Sequence, residues 1–258
     1  MGEAQTVRTE VARSFSSAWR TVTDALLAVL LAPICAACHR PHDRPTRGAV
    51  CPWCWASILP LTPPFCDTCG DPLPSWRPIS IAERRCPRCR RRPGAITRSR
   101  AVGAYEGSLR AIVHALKYDR RRSVAAPLAR MMRVHGTEVL SGADLVVPVP
   151  LFRSRRRARG FNQAADLARH IGLPVVHALG RIRNTPSQTD LPAARRHANV
   201  KNAFRAIRPS EVIGTCIVLV DDVSTTGATL EACARALLDA GARDVRALTA
   251  ARVVSRRP

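Results

Sequence analysis

Aromatic side chains are scarce in this chain: Phe, Trp and Tyr together make up 4% of its 258 residues. So thin a supply argues against a broad platform on which the bases of a single strand would stack. Acids are few as well, 19 against 41 basic residues, which leaves a formal charge of +22. Lysine is nearly absent, since every basic residue except Lys117 and Lys201 is arginine. Codon bias in a GC-rich genome would favour Arg over Lys, but it does not account for so large an excess over acids. The excess points to a polyanionic partner such as DNA, RNA or a phosphorylated substrate. A membrane-spanning run is missing too. The stretch "ALLAVLLAPI" (Ala25–Ile34) is about half as long as a bilayer span and follows Arg20 and Asp24 rather than a basic cluster. It is expected to be a buried helix end rather than a secretory leader. The chain is therefore read as cytoplasmic, with no membrane insertion.

What is present suits a globular protein of roughly one or two domains: 46% hydrophobic and 23% charged residues. Residues 1–34 read as a helical lead-in that Pro33 stops. Residues 35–100 are rich in Pro, Cys and Arg with little periodicity, so they need an external staple to fold. Eight of the ten cysteines supply it, in four C-x-x-C pairs. Cys35, Cys38, Cys51 and Cys54 form one set, with twelve residues between the pairs; Cys66, Cys69, Cys86 and Cys89 form the next, with sixteen. Each pair makes a knuckle that points two sulfurs at one ion, and two knuckles complete the four-thiolate tetrahedron of structural zinc. Two structural Zn2+ are expected, by sequential pairing in the simplest case and interleaved pairing otherwise. Iron–sulfur ligation and redox pairs are the alternatives. Cys216 and Cys233 read as small buried hydrophobes.

From 101 to 258 the pattern is α/β. "SLRAIVHALKY" carries Leu109, Ile112, Val113 and Leu116 at helical spacing, and "SVAAPLARMMRVHGTEVL" continues as a second helix. "ADLVVPVP" and "PVVHALGRI" read as strands, with the helix "GFNQAADLARHIG" between them. "RNTPSQTDLPAARRHANVKN" (Arg183–Asn202) is a long polar loop. Then come "AFRAI", the strand "CIVLVDD", a helix from about Gly227 to Ala240, and "DVRALTAAR". Strands alternating with helices imply a parallel sheet.

The densest chemistry lies in "IVLVDDVSTTGAT" (Ile217–Thr229). The apolar run suits a strand covered on both faces, and the C-terminal ends of such strands are where α/β sheets place ligands. Asp221 and Asp222 sit there. Adjacent carboxylates repel unless a cation or hydroxyl groups lie between them, and sugar hydroxyls or hydrated Mg2+ both qualify. Ser224, Thr225, Thr226 and Thr229 offer hydroxyl donors, Gly227 lets the backbone approach a ligand, and the following helix aims free N–H groups at the loop. The unit offers a sugar-diol site beside a monophosphate site.

"VLVDDVSTTGAT" resembles the phosphoribosyl-pyrophosphate (PRPP) motif of type I phosphoribosyltransferases. That resemblance implies that Asp221 and Asp222 hold the ribose hydroxyls, that Thr225, Thr226, Gly227, Ala228 and Thr229 cup the 5-phosphate, and that Ser224 belongs to the same PRPP-binding stretch, with Mg2+ accompanying PRPP. Over nearly the whole chain, the paired knuckles followed by "ALKY", "VPVPLFRSRRRARGFNQAADLA", the polar loop and the PRPP motif resemble the ComF family. This implies a type I phosphoribosyltransferase fold preceded by a small double zinc-ribbon module. It implies that Pro150, Leu151, Phe152 and Arg153 form the pyrophosphate loop and that Arg183–Asn202 is a lid. It also implies a role in natural competence, with single-stranded DNA and competence helicase or channel proteins as partners. No segment announces a nucleobase acceptor and no residue stands out as catalytic, so a base-salvage transferase and a non-catalytic nucleic-acid binder that uses PRPP as a ligand are the other readings. The runs "RSRRRARGFNQ" (Arg153, Arg155, Arg156, Arg157, Arg159, placed before a helix N-terminus) and "RRCPRCRRRP" (Arg84–Pro93) suit either phosphate contacts or charge balance beside thiolate sites.

Overall fold

Residues 216–220 are apolar throughout, and all five are buried inside a sheet of four parallel strands. The computed structural model describes residues 19, 21–73, 84–183 and 202–254. Its strands in chain order are β1 (Ser99–Ala104), β2 (Leu145–Pro148), β3 (Leu179–Arg181), β4 (Phe204–Ala206), β5 (Cys216–Ser224) and β6 (Asp244–Arg252). The sheet runs β1-β6-β5-β2, while β3 and β4 form a separate antiparallel pair. Val175 bridges Val146 in parallel beyond β2, so the strand expected over "PVVHALGRI" is reduced to that bridge and to β3.

The helices are α1 (residues 21–31), α2 (Pro52–Ala56), α3 (Pro87–Arg91), α4 (Gly107–Tyr118), α5 (Ala125–His135), α6 (Thr137–Leu140), α7 (Arg153–Arg159), α8 (Gln163–Ala168) and α9 (Ala228–Leu238). In α4 the apolar stripe of Leu109, Ile112, Val113 and Leu116 is fully buried, as its 3.6-residue period requires. The helix expected to continue from α5 breaks at Gly136. A Cβ there would lie 2.6 Å from Leu248 Cδ1, so the bare glycine lets the helix end close onto β6. α4, α5 and α8 pack on one face of the sheet. On the other, Ala228, Leu230, Cys233, Ala234 and Leu237 of α9 share a core with Ile217 and Leu219 of β5 and Phe204 of β4.

Two expectations need correcting. The arginines of "RSRRRAR" are not a loop leading into a helix. They form α7 themselves, closed by Gly160 in the left-handed region (φ +79°). α8 then starts afresh at Asn162, whose side chain accepts from Ala164 N at 3.1 Å. Nor is the apolar stretch Ala25–Ile34 buried: Leu26, Val29, Leu30, Leu31 and Ile34 are all more than half exposed. A polar contact fastens the helix to the following segment, Thr46 N donating to Asp24 Oδ1 at 2.8 Å. Among the described residues no helix is long and apolar enough to cross a membrane.

The chain divides by packing after Ile58. The first unit holds α1, α2 and the cluster Cys35, Cys38, Cys51 and Cys54. The second holds the cluster Cys66, Cys69, Cys86 and Cys89 together with the sheet. Within this second unit the ribbon is fastened to the sheet at several points. Arg252, 5% exposed at the end of β6, bonds through Nε to Asp71 Oδ1 at 2.5 Å. Ala95 N donates to Glu231 Oε1 of α9 at 2.8 Å. Gly70, at φ +73°, comes so close to Ser99 O that a Cβ would lie 2.5 Å from it.

Candidate functional site

The chain leaves β2 toward α7 and α8 on one face of the sheet, and leaves β5 toward α9 on the other. Adjacent strands whose continuations part in this way open a crevice at their C-terminal ends, where α/β proteins bind ligands. Pro150, Leu151 and Phe152 follow β2 at this crevice, and Arg153 opens α7. Asp221, Asp222 and Ser224 complete β5, and Thr225, Thr226 and Gly227 turn into α9, whose first residues include Ala228 and Thr229. The residues expected for ribose, phosphate and pyrophosphate thus lie at or just beyond the C-terminal ends of two adjacent strands. Of the expected lid, residues 184–201 lie outside the described residues.

The two aspartates are not equivalent. Strand alternation sends their side chains to opposite faces. Asp221 is half-buried, and its backbone-linked neighbour donates to it, Asp222 N to Asp221 Oδ1 at 2.9 Å. Burial, and next the Asp222 charge, push its carboxyl up to about 7, against the opposing pull of Lys117 and Arg181. Asp222 is only 3% exposed. Its Oδ1 meets Lys117 Nζ of α4 at 2.9 Å, while its Oδ2 has no partner among the described residues. Burial pulls the Lys117 ammonium down, but the two aspartates pull harder and its pKa ends above the usual lysine value. The Ser224 hydroxyl, also buried, has no partner among the described residues either.

Gly227 occupies the N-cap position of α9 at φ +76°, a left-handed conformation natural to glycine. Ala228 N donates to Thr226 Oγ1 at 3.4 Å, and Glu231 N to Gly227 O at 2.9 Å. Glu231, the acid in the first turn, is turned away onto Ala95 N and Arg235, so it does not oppose an anion at the loop. Arg88, from the ribbon helix α3, donates through Nη2 to Thr226 O. An open cleft of about 1510 Å³ spreads from this loop, bordered by Arg88, Arg91, Arg92, Arg205 and Arg235.

Sequence reasoning missed Lys117 and Arg88 as site residues. Lys117 carried a signal: it stands one turn beyond Val113 on the buried stripe of α4, in a chain with one other lysine. Arg88 carried none, because its position depends on how the ribbon docks.

The eight expected thiols gather in two sets, each with sulfurs within 4.8 Å of one another. Sulfur–sulfur distances are 3.9 Å for Cys35–Cys54 and for Cys38–Cys51, and 3.7 Å for Cys69–Cys86. Tetrahedral Zn–S bonds of about 2.3 Å place sulfurs about 3.8 Å apart, so both sets fit zinc. Backbone N–H groups of Ala37 and Cys51 point at Cys35 Sγ, and that of Cys86 at Cys66 Sγ, as thiolate knuckles require. Pairing is sequential, and the sites would supply cross-links rather than chemistry.

Comparison with known proteins agrees with both halves. A double zinc ribbon domain matches residues 26–90 and a phosphoribosyl transferase domain matches residues 157–258. The DNA utilization protein YhgH of Salmonella typhi is 37% identical over 195 residues, covering 70% of this chain and 81% of its own. Competence protein F of Haemophilus influenzae is 27% identical over 77% of this chain and 88% of its own. Competence protein ComFC of Bacillus subtilis is 28% identical over 74% and 79%.

Proposed function

This chain, a double zinc ribbon followed by a phosphoribosyl transferase domain, belongs to the ComF family, and on that premise we propose that it binds Mg2+–PRPP and handles single-stranded DNA entering the cell. The observation that carries the first half is the crevice between the ends of β2 and β5, where two carboxylates and a hydroxyl-rich, glycine-turned helix start meet. Asp221 and Asp222 take the ribose hydroxyls. Ser224, Thr225, Thr226, Gly227, Ala228 and Thr229 take the 5-phosphate, through hydroxyls and the free N–H groups of α9. Pro150, Leu151, Phe152 and Arg153 take the pyrophosphate. The oxygen-rich donor set suits Mg2+, which arrives with PRPP and neutralises pyrophosphate charge.

The second half draws on the names of the relatives, which concern competence and DNA utilization. It also draws on the arginine-bordered cleft beside the phosphate loop. Guanidinium groups spaced along a groove suit a phosphate backbone without reading bases. Cytoplasmic placement and competence helicase or channel partners follow from this role.

Calorimetry with PRPP and Mg2+ tests the site. The wild type should bind, and the Asp221→Asn, Asp222→Asn double variant should not; no binding by the wild type would remove the proposal. Pyrophosphate release, assayed against free bases and single-stranded DNA, then separates a transferase from a protein that uses PRPP as a ligand. Binding of single-stranded DNA should weaken steeply with salt.

A further inference from the structure

Lys117 is one of two lysines among 41 basic residues, so an ammonium here departs from the habit of the chain. It sits in the last turn of α4 with its side chain 16% exposed, and its Nζ lies 2.9 Å from Asp222 Oδ1. Asp222 is 3% exposed, and its Oδ2 lacks a partner among the described residues. The Asp221 carboxyl, on the other face of the strand, and Tyr105 both lie near enough to act on Lys117. A carboxylate almost out of water needs a resident cation. Lys117 is placed to be that cation from the helix side, and it leaves the buried Oδ2 without a partner among the described residues. Resting on the reading that the acid pair receives the PRPP ribose, we propose that Lys117 is a positioning residue, which clamps Oδ1 of Asp222 so that Oδ2 is left aimed to accept from a ribose hydroxyl. An ammonium is a compact point charge that can hold one oxygen alone. A guanidinium fork tends to engage both oxygens of a carboxylate and would take the one the sugar needs.

Lys117→Met and Lys117→Arg test this, with Mg2+–PRPP and Mg2+–pyrophosphate as probes in calorimetry. Pyrophosphate carries no ribose hydroxyl and does not report on Asp222. Lys117→Met should weaken PRPP by about tenfold or more, the worth of one charge-assisted hydrogen bond, and leave pyrophosphate unchanged. Lys117→Arg should also fall well short of the wild type, because its fork takes the oxygen that the sugar needs. Equal losses for both probes would mean a merely structural role and overturn the proposal, as would PRPP binding unchanged in Lys117→Met or at the wild-type level in Lys117→Arg. If Lys117→Met does not fold, Lys117→Gln replaces it with the same two probes: wild-type PRPP affinity there overturns the proposal, and a loss confined to PRPP supports it. Failure of the wild type to bind PRPP is a different result, which removes the site reading itself.

Discussion

Replacing Arg252 by Met should loosen the second zinc ribbon from the sheet. The Arg252 side chain is 6% exposed and its Nε lies 2.5 Å from Asp71 Oδ1. Burial lowers the guanidinium pKa, but Asp71 more than offsets it, so the pair holds its charge. Breaking a fully buried pair costs about 3–5 kcal/mol because one charge is stranded. Here the Asp71 side chain is 28% exposed, so water re-solvates it in the variant and the expected cost falls to about 2 kcal/mol. The unit that melts runs from Leu59 to Pro258, a size at which each kcal/mol lowers Tm by about 2–4 °C. Thermal denaturation of the zinc-loaded protein should therefore show a drop of about 4–8 °C. Asp71→Asn should produce a similar drop, and the double variant much less than their sum, giving a coupling of about 1–2 kcal/mol. A coupling under about 0.5 kcal/mol would refute the view that this contact joins ribbon and sheet.

Metal analysis should find two zinc ions per chain. Cys66→Ser with Cys69→Ser should leave one and weaken PRPP binding through loss of Arg88 at Thr226, whereas Cys35→Ser with Cys38→Ser should leave one and spare PRPP. The Asp221 carboxyl, raised from 3.8 to about 7, binds its proton more tightly folded than unfolded. Its contribution to stability should be fully present below about pH 4 and lost as pH rises through 7, while Mg2+–PRPP affinity, which needs the carboxylate, should climb over that upper range. Gly227→Ala should cost about 1 kcal/mol for a Cβ at positive φ, and Gly227→Asn less, since Asn tolerates that conformation. The site has open space around Gly227, so equal costs in thermal melts would contradict a purely conformational origin.

Much of the molecule was legible because its signals are local. β5 announces itself by an unbroken apolar run ending in two acids, α4 by a four-residue stripe, and the thiol sites by the knuckle spacing. What stayed hidden depends on tertiary partners. The apolar residues of α1 look like core in the sequence, and it is their exposure in the fold, as at Leu26, Val29 and Leu30, that shows otherwise. α7 was missed because five arginines swamp any periodicity, and its stop depends on Gly160 at positive φ. The seam after Ile58 is invisible in composition, since both four-cysteine sets read alike and it takes tertiary contacts, such as those of Asp71, Ala95 and Gly70, to tie one of them to the sheet. The unequal fates of Asp221 and Asp222 follow from the helix that happens to cover each face.

The contact between Arg88 and Thr226 spans 138 residues. Ribosomes deliver the ribbon long before they deliver β5, and N-terminal elements of a chain generally fold first. The ribbon can therefore close around its ion while the strand that carries the aspartates is still unmade. When the hydroxyl turn finally emerges, one of its walls is already standing. On this timetable zinc supply, early in synthesis, would govern how readily the pocket proposed for PRPP is completed at the end.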